Sequence, residues 1–214
     1  MTPADSRALR TAIVATAREM NALGINRGKS GNVSARVRTG FLITPSALPY
    51  AQTEPDDVVA VARDGAATGR RAPSSEWRFH RDIYAARPEA MAIVHTHAPF
   101  ATTLACLDRG IPAFHYMIAV AGGPDIRCAP YATFGTQELS DAAVRALDGR
   151  RACLLAHHGM IAVGETLEAA LALAVEVETL AEMYWRALQI AEPAILPHGE
   201  MDEVLRKFAR YGKP

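Results

Sequence analysis

The segment that decides the fold is Met-Ala-Ile-Val-His-Thr-His, residues 91–97, a short apolar run that ends in two histidines. A run of this length and composition is typical of a buried strand. Residues two apart on a strand point to the same side, so His95 and His97 share one face. Their Cα atoms would be about 6.5 to 7 Å apart, which allows both imidazoles to reach one metal ion. Taken alone the pair is weak evidence, because H-x-H pairs also serve packing and hydrogen bonding.

A second apolar run, residues 152–156, leads into His157-His158-Gly159 and offers a third imidazole. Because adjacent residues on an extended chain face opposite ways, we expect only one of these two histidines to be a ligand. Three histidine ligands leave one coordination position open, which is the arrangement of catalytic zinc sites. The residues themselves do not decide between His157 and His158.

Helical and strand patterns alternate along the rest of the chain. We predict helices over residues 6–22, 73–87, 98–107, 137–147, 165–190 and 202–210, and strands over 33–37, 41–44, 58–62, 91–97, 152–156 and 160–163. Interleaved strands and helices indicate one α/β domain, and we expect it to span residues 1–214.

The composition excludes several classes of protein. Hydrophobic residues make up 50% and charged residues 21% of the 214 residues, which is ordinary for a globular enzyme. Lys plus Arg and Asp plus Glu are both 23, so no overall charge favours nucleic acid or an anionic membrane as a partner. Three cysteines without a C-x-x-C pair argue against a disulfide framework or a thiolate zinc site. There is no signal-peptide pattern and no apolar run of about 20 residues, so a cytoplasmic location is expected.

Two segments suggest an anion site. Ser74 and Ser75 precede Glu76 at a predicted helix start, where free backbone amides can bind phosphate. Residues 28–32 form a turn of small residues that can approach a ligand closely, and Lys29 adds a positive charge. Each segment also has an ordinary interpretation. Glu76 would then be a carboxylate favoured in the first turn of a helix, and the turn would be a plain connection.

The remaining histidines outside the two motifs carry weaker signals. His80 lies inside a predicted helix and is interpreted as a structural hydrogen-bonding residue, and His198 is interpreted as solvated. His115, next to Tyr116, is left undecided between these roles.

Several motifs in order resemble the class II aldolase/adducin family, and most closely its L-fuculose-1-phosphate aldolases. The resemblance runs from about residue 25 through 212, nearly the whole chain. Its markers are Ser-Gly-Asn-Val-Ser (30–34), Leu-Ile-Thr-Pro (42–45), Pro-Ser-Ser-Glu-Trp-Arg-Phe-His (73–80), His-x-His (95–97), His-Tyr-Met (115–117), Cys-Ala-Pro-Tyr-Ala-Thr-Phe-Gly (128–135), His-His-Gly (157–159) and Lys-Phe-x-x-Tyr-Gly (207–212).

The resemblance implies a fold and a set of site residues. The fold would be a single-domain α/β/α arrangement with a central, mainly antiparallel sheet flanked by helices. The subunits would form a cyclic homotetramer with active sites at subunit interfaces. By position, the zinc ligands would be His95, His97 and His158. The catalytic residues would be Glu76, Tyr116 and Tyr211. The substrate phosphate would be bound by Gly31, Asn32, Ser46, Ala47, Ser74 and Ser75. Tyr211 would reach in from a neighbouring subunit.

The implied activity is zinc-dependent retro-aldol cleavage of a sugar phosphate, L-fuculose 1-phosphate or a similar ketose 1-phosphate, to dihydroxyacetone phosphate and a short aldehyde. One Zn2+ per subunit is expected, and cobalt or manganese also suits such ligands. Two positions depart from the fuculose pattern: Ala47 stands where a glycine is typical, and Lys29 where a small residue is typical. They bear on the substrate more than on the chemistry.

Other activities on the same fold stay open. A 5-deoxypentulose-phosphate aldolase, methylthioribulose-1-phosphate dehydratase and L-ribulose-5-phosphate 4-epimerase share the zinc histidines. A non-catalytic, adducin-like interaction module is a further alternative. Such modules tend to lose metal ligands, whereas this chain keeps all three histidines and the glutamate.

Overall fold

The computed structural model describes residues 2–210, which build an eight-stranded sheet between two layers of helices. Its strand order is β4-β3-β2-β1-β5-β8-β7-β6. The strands are β1 (Asn32–Val37), β2 (Gly40–Ile43), β3 (Val59–Ala62), β4 (Ala67–Thr68), β5 (Ala92–Thr96), β6 (Cys128–Ala129), β7 (Ala152–Leu155) and β8 (Gly159–Gly164). Neighbouring strands are antiparallel except for the β6–β7 pair, so the sheet is mixed but mainly antiparallel.

The helices cover both faces of the sheet. They are α1 (Arg7–Ala22), α2 (Trp77–Ala86), α3 (Pro99–Ala105), α4 (Gln137–Ala146), α5 (Leu167–Leu188) and α6 (His198–Phe208), with short 3-10 segments at Tyr50–Gln52, Pro55–Asp57 and Tyr116–Ala121. One hydrophobic core lies between the sheet and α1, α3, α5 and α6, and a second lies between the sheet and α2 and α4. The α/β/α prediction is therefore confirmed. Among residues 2–210, no helix combines the length and apolar character needed to cross a membrane.

The predicted elements are present, with ends that shift by a few residues. The largest shifts are at two helix starts: α2 begins at residue 77 instead of 73, and α6 begins at residue 198 instead of 202. Strands β4 and β6 were not predicted, because two residues are too few to show an alternating pattern.

The start of α2 differs from the expectation that Glu76 lies in its first turn. The helix begins at Trp77, and Glu76 is the preceding residue, without a capping contact from its side chain. The Glu76 side chain is buried and is directed to hydrogen-bond and ion-pair partners on the sheet. Its interpretation as a carboxylate in the first turn of the helix was therefore wrong.

The turn at residues 28–32, called the glycine turn below, lies directly against β5, the strand that leads into His95 and His97. Asn32 pairs with His95 in the β1–β5 register. Gly31 has φ +68, and a Cβ placed there would lie only 2.6 Å from the carbonyl oxygen of His95. Asn26 adds a second tie, because its Nδ2 donates to the Ser30 carbonyl at 2.8 Å while its Oδ1 accepts from the Thr96 hydroxyl at 3.4 Å. Backbone packing thus fixes this turn relative to the histidines.

The buried Asp57 anchors residues 70–71, which lead into Ser74 and Ser75. Asp57 accepts hydrogen bonds from Arg70 Nε at 2.9 Å, Arg71 Nε at 2.5 Å and the backbone N–H of Glu54 at 2.9 Å. Burial raises the pKa of Asp57, but these hydrogen bonds outweigh it and lower the pKa to about 2. The ionised carboxylate therefore stabilises the fold.

We predict that Asp57→Asn lowers the free energy of unfolding at pH 7 by about 2 kcal/mol, because hydrogen bonds to a charged group are lost. The native pKa lies below the unfolded value. The stabilisation is therefore present above about pH 4 and disappears as the pH falls toward 2. Urea unfolding at several pH values would measure this: the difference in the free energy of unfolding between the unmodified protein and Asp57→Asn should become smaller as the pH falls over that range. Asp56→Asn is the matched control, since the Asp56 side chain is 61% exposed; an equal loss in both variants would contradict the prediction.

Candidate metal centre and active site

Three imidazoles meet at one end of the central strands. β5 carries His95, His97 follows its last residue, and His158 lies in the turn between β7 and β8. The ring centroids are 4.8 to 5.1 Å apart, and each pair of rings is edge-to-face at 71° to 76°. The three candidate ligand nitrogens lie within 4.8 Å of one another. This arrangement directs the three nitrogens toward a shared point.

The hydrogen bonds of the imidazoles fit a metal site. His95 Nδ1 lies 2.8 Å from the Met160 carbonyl and donates to it, which leaves the Nε2 lone pair for a ligand. Nε2 of His95 and Nε2 of His97 are buried without a hydrogen-bond partner in residues 2–210. Buried nitrogens of this kind need a partner, and a divalent cation held by neutral imidazoles would supply one.

Glu76 is the carboxylate of this cluster. Its Oε1 is 2.9 Å from His158 Nε2, and its Oε2 is 3.2 Å from His95 Nε2. Burial raises the pKa of the Glu76 carboxyl, but the electrostatic influence and hydrogen bonding of the neighbouring His95 and His158 outweigh it and bring the pKa well below its usual range. The same carboxylate overcomes the effect of burial on His95 and raises the pKa of that ring. Glu76 is therefore an anion at neutral pH.

His97 differs from His95 in its electrostatics. Burial, together with repulsion from His95 and His158, lowers the pKa of His97 to about 4. Its imidazole is neutral at pH 7, which is the form that binds a metal.

His157 and His158 separate for a reason that the extended-chain argument missed. The two residues lie in a turn, and His157 has φ +54, so they are not successive residues of a strand. The His157 side chain is 49% exposed and lies 3.6 Å from Asp108, whereas the His158 side chain is 11% exposed and joins the cluster. Only His158 of the two joins the cluster, and its role as a metal ligand stays a prediction.

A pocket of about 330 Å3 opens above the cluster, with Glu76, His97 and His158 in its wall. The residues predicted to bind phosphate all line it: Gly31, Asn32, Ser46, Ala47, Ser74 and Ser75. Lys29 also lines this pocket. The structure thus brings the two predicted anion segments to one cavity, although they are more than 40 residues apart in the chain.

Ala47 has φ +59, a left-handed conformation that alanine rarely adopts. This is the position where the fuculose pattern has glycine, which takes up such a conformation without strain. The strain at an alanine is about 1 to 2 kcal/mol. The chain keeps the turn that a glycine would make, with a methyl group added at the pocket.

Asn32 and His80 form a contact that the sequence did not reveal. Asn32 Nδ2 donates to Ser74 Oγ at 3.0 Å and to Glu76 Oε2 at 2.9 Å, and its Oδ1 accepts from His80 Nε2. The interpretation of His80 as a structural hydrogen-bonding residue is confirmed. The sequence carries no signal that its partner is a residue of the glycine turn.

Of the two predicted tyrosines, Tyr116 does not line this pocket in its own chain. Tyr116 is 51% exposed and packs against His115 and Phe208, in a separate groove beside α6. Tyr211 lies outside the described residues. The roles of both tyrosines therefore stay predictions.

No role was predicted for two aromatic side chains on the pocket rim, although both belong to the marker at residues 128–135. Tyr131 and Phe134 line the pocket and are 61% and 65% exposed. They lie in the irregular chain between β6 and α4, where no periodic pattern points to a role.

Comparisons with known proteins agree with this geometry. The family described as "Class II Aldolase and Adducin N-terminal domain" matches residues 11–185. A 5-methylthioribulose-1-phosphate/5-deoxyribulose-1-phosphate aldolase from Rhodospirillum rubrum is 60% identical over 98% of this chain and 95% of its own length. An L-fuculose phosphate aldolase from Escherichia coli K12 is 50% identical over 94% of each chain. A solved L-fuculose 1-phosphate aldolase superposes with a TM-score of 0.93 at 39% identity, covering 96% of this chain and 98% of the other.

We predict that Gly159→Ala weakens zinc binding about 10- to 100-fold, the usual effect of disturbing the support of metal ligands. An added Cβ would lie 2.6 Å from the Thr96 carbonyl oxygen and 3.0 Å from His97 Cδ2, so the ligand strand or ring must shift. Competition with a chromophoric chelator measures the affinity. The control is Gly199→Ala in α6, where an added Cβ meets nothing within 4 Å. Equal affinities in the two variants would show that Gly159 does not shape the site.

Proposed function

The chain belongs to the class II aldolase/adducin family and is a class II aldolase, and from this premise we propose that it cleaves a ketose 1-phosphate to dihydroxyacetone phosphate and a short aldehyde. The observation that carries the proposal is the buried Glu76 carboxylate within a cluster of three imidazoles, with Glu76, His97 and His158 in the wall of one pocket. The proposed base, the proposed metal ligands and the loops predicted to bind phosphate then all face the same substrate.

We propose that His95, His97 and His158 hold one Zn2+ per subunit. The convergence of their nitrogens and the orphaned Nε2 atoms support this assignment. Neutral nitrogen donors suit zinc, and cobalt or manganese would also fit. When bound, the ion supplies Lewis-acid stabilisation of negative charge on the substrate oxygens.

The substrate phosphate is assigned to the loops around the pocket. Gly31 and Asn32 belong to one turn, Ser46 and Ala47 to a second, and Ser74 with Ser75 to a third. Ser46 and Ser74 are held close by the backbone, since Ser46 N donates to the Ala72 carbonyl at 3.0 Å and Ser74 N to the Thr44 carbonyl at 3.1 Å. These two amides are occupied, so the serine hydroxyl groups and the other backbone amides of the loops are left to bind phosphate, and Lys29 adds a positive charge at the rim.

In the cleavage step, the bond between C3 and C4 of the ketose breaks. The hydroxyl on C4 loses its proton and becomes the aldehyde, while the bonding electrons pass to C3 and form the enediolate of dihydroxyacetone phosphate. Glu76 then moves a proton at C3, as a general acid and base. The proton that C3 gains balances the proton that the C4 hydroxyl loses: in cleavage Glu76 gives a proton to C3, and in the reverse direction its ionised carboxylate removes that proton, which agrees with its lowered pKa.

We assign proton transfer at the C4 hydroxyl to Tyr116 and Tyr211. Tyr116 is exposed and stands outside the pocket of its own chain, which suits a role in the pocket of a neighbouring subunit. We propose that the protein acts as a homotetramer, in which a neighbour completes the aldehyde half of each site.

A second candidate substrate is a 5-deoxypentulose or methylthiopentulose 1-phosphate. The relative from R. rubrum carries this activity in its name and shares 60% of its residues with this chain. Tyr131 and Phe134 give the rim an apolar character that suits a methyl or methylthio end. A dehydratase or an epimerase would form a different product from an aldolase, and a non-catalytic module would form none.

We predict that the zinc-loaded protein releases dihydroxyacetone phosphate from L-fuculose 1-phosphate, 5-deoxyribulose 1-phosphate or methylthioribulose 1-phosphate. A coupled assay over this panel measures the release. A chelator should abolish it and added zinc should restore it. L-Ribulose 5-phosphate is included to detect epimerisation. No release from any ketose 1-phosphate would overturn the proposed function, and absence of bound zinc would favour the interaction module.

We predict that Glu76→Gln reduces deuterium exchange at C3 of dihydroxyacetone phosphate by about 10²- to 10⁴-fold, the usual contribution of a general acid–base group. Zinc content should stay near that of the unmodified protein, because the three histidines remain. Glu19→Gln is the control, since Glu19 is an exposed residue of α1. Normal exchange in Glu76→Gln would remove this residue from the mechanism.

A further inference from the structure

Behind Glu76 lies a continuous chain of buried polar side chains. Glu76 Oε2 is 2.9 Å from Asn32 Nδ2, and Asn32 Oδ1 contacts His80 Nε2. His80 Nδ1 is 2.7 Å from Ser34 Oγ, which is 2.8 Å from the Tyr84 hydroxyl. All five side chains are buried, and His80 and Ser34 are completely so.

The carboxylate sets the direction of every hydrogen bond in this chain. An ionised carboxylate only accepts, so the Asn32 amide must present Nδ2 to it and Oδ1 to His80. Since Oδ1 also only accepts, His80 Nε2 must carry a proton. Neutral His80 then has a bare Nδ1, which accepts from the Ser34 hydroxyl, and Ser34 in turn accepts from Tyr84. Reversing one member would place two acceptors or two donors face to face.

His80 is well suited to hold this direction. Burial, with a further contribution from His95, lowers the pKa of His80 to about 3, so the ring is neutral at pH 7 and has one N–H. Phe79 and Phe41 stack on the ring at centroid distances of 4.7 and 6.3 Å, which restricts its rotation. A neutral, packed ring donates in one direction only.

We propose that His80 is a positioning residue, which acts through Asn32 to hold Glu76 Oε2 in place and to leave Oε1 for proton transfer. The inference rests on the proposed function, in which Glu76 moves a proton of the substrate. Oε1 lies 2.9 Å from His158 Nε2 but makes no hydrogen bond of good geometry within the described chain, which agrees with this division of the carboxylate.

The test is a pair of variants that differ by one methylene. In His80→Gln the amide nitrogen reaches the position of Nε2 and can still donate to Asn32. In His80→Asn the shorter amide reaches only the position of Nδ1. We expect deuterium exchange at C3 of dihydroxyacetone phosphate to stay within about fivefold of normal in the first variant. In the second it should fall about 10- to 100-fold, as for other residues that support a catalytic group. Zinc content should be unchanged in both.

Equal exchange rates in the two variants, whether normal or reduced, would overturn the proposal, because they would show that the Nε2 donor does not matter. Absence of exchange in the unmodified protein would instead overturn the proposed function.

A measurement on the unmodified protein covers the case in which neither variant folds. The 15N spectrum of the histidine side chains should show His80 as the Nε2–H tautomer at pH 7. An Nδ1–H tautomer would overturn the proposal, since Nε2 could not then donate to Asn32. This outcome does not depend on the activity of the protein.

Discussion

The rest of the site depends on a single buried charge, the carboxylate of Glu76, which is 7% exposed. Removing an ionised group from water costs several kcal/mol unless cations and donors surround it. Here the imidazoles of His95 and His158 face one side of it, and the Asn32 amide faces another. Four parts of the chain must therefore converge on one point: the residue before α2, the start of β1, the end of β5 and the turn between β7 and β8. The proposed proton transfer uses this same charge.

The antiparallel sheet makes that convergence possible. β1 runs opposite to β5, so the first residue of β1 lies beside the end of β5, where the histidines are. β8 runs opposite to both β5 and β7, and the turn that joins β7 to β8 delivers His158 to the same end. In a parallel sheet all the strands would start at one edge and end at the other, so a strand start and a strand end could not lie side by side as Asn32 and His95 do. Mixed directions allow a strand start, a strand end and a tight turn to form one centre.

The sequence predicted those parts of the site that have a local signal. His95 and His97 share a face because of a two-residue period, and the sheet strands have apolar runs that identify them. Contacts between distant segments had no such signal: Asn32 and Glu76 are 44 residues apart, and Asn32 and His80 are 48. Nor could local patterns predict the left-handed turn at His157, which depends on how β7 turns into β8. The family resemblance identified site residues, but not the hydrogen bonds that order them.

The pairing of Asn32 with His95 has a consequence for how such an enzyme can change in evolution. A slip of one residue between β1 and β5 would turn every side chain to the opposite face, so this register cannot drift. Tyr131 and Phe134, by contrast, lie outside the sheet on exposed, irregular chain at the mouth of the pocket. Mutations there can alter the mouth without displacing the reaction centre. A lineage with this fold can thus acquire a new aldehyde partner through a few rim substitutions while its chemical machinery is inherited intact.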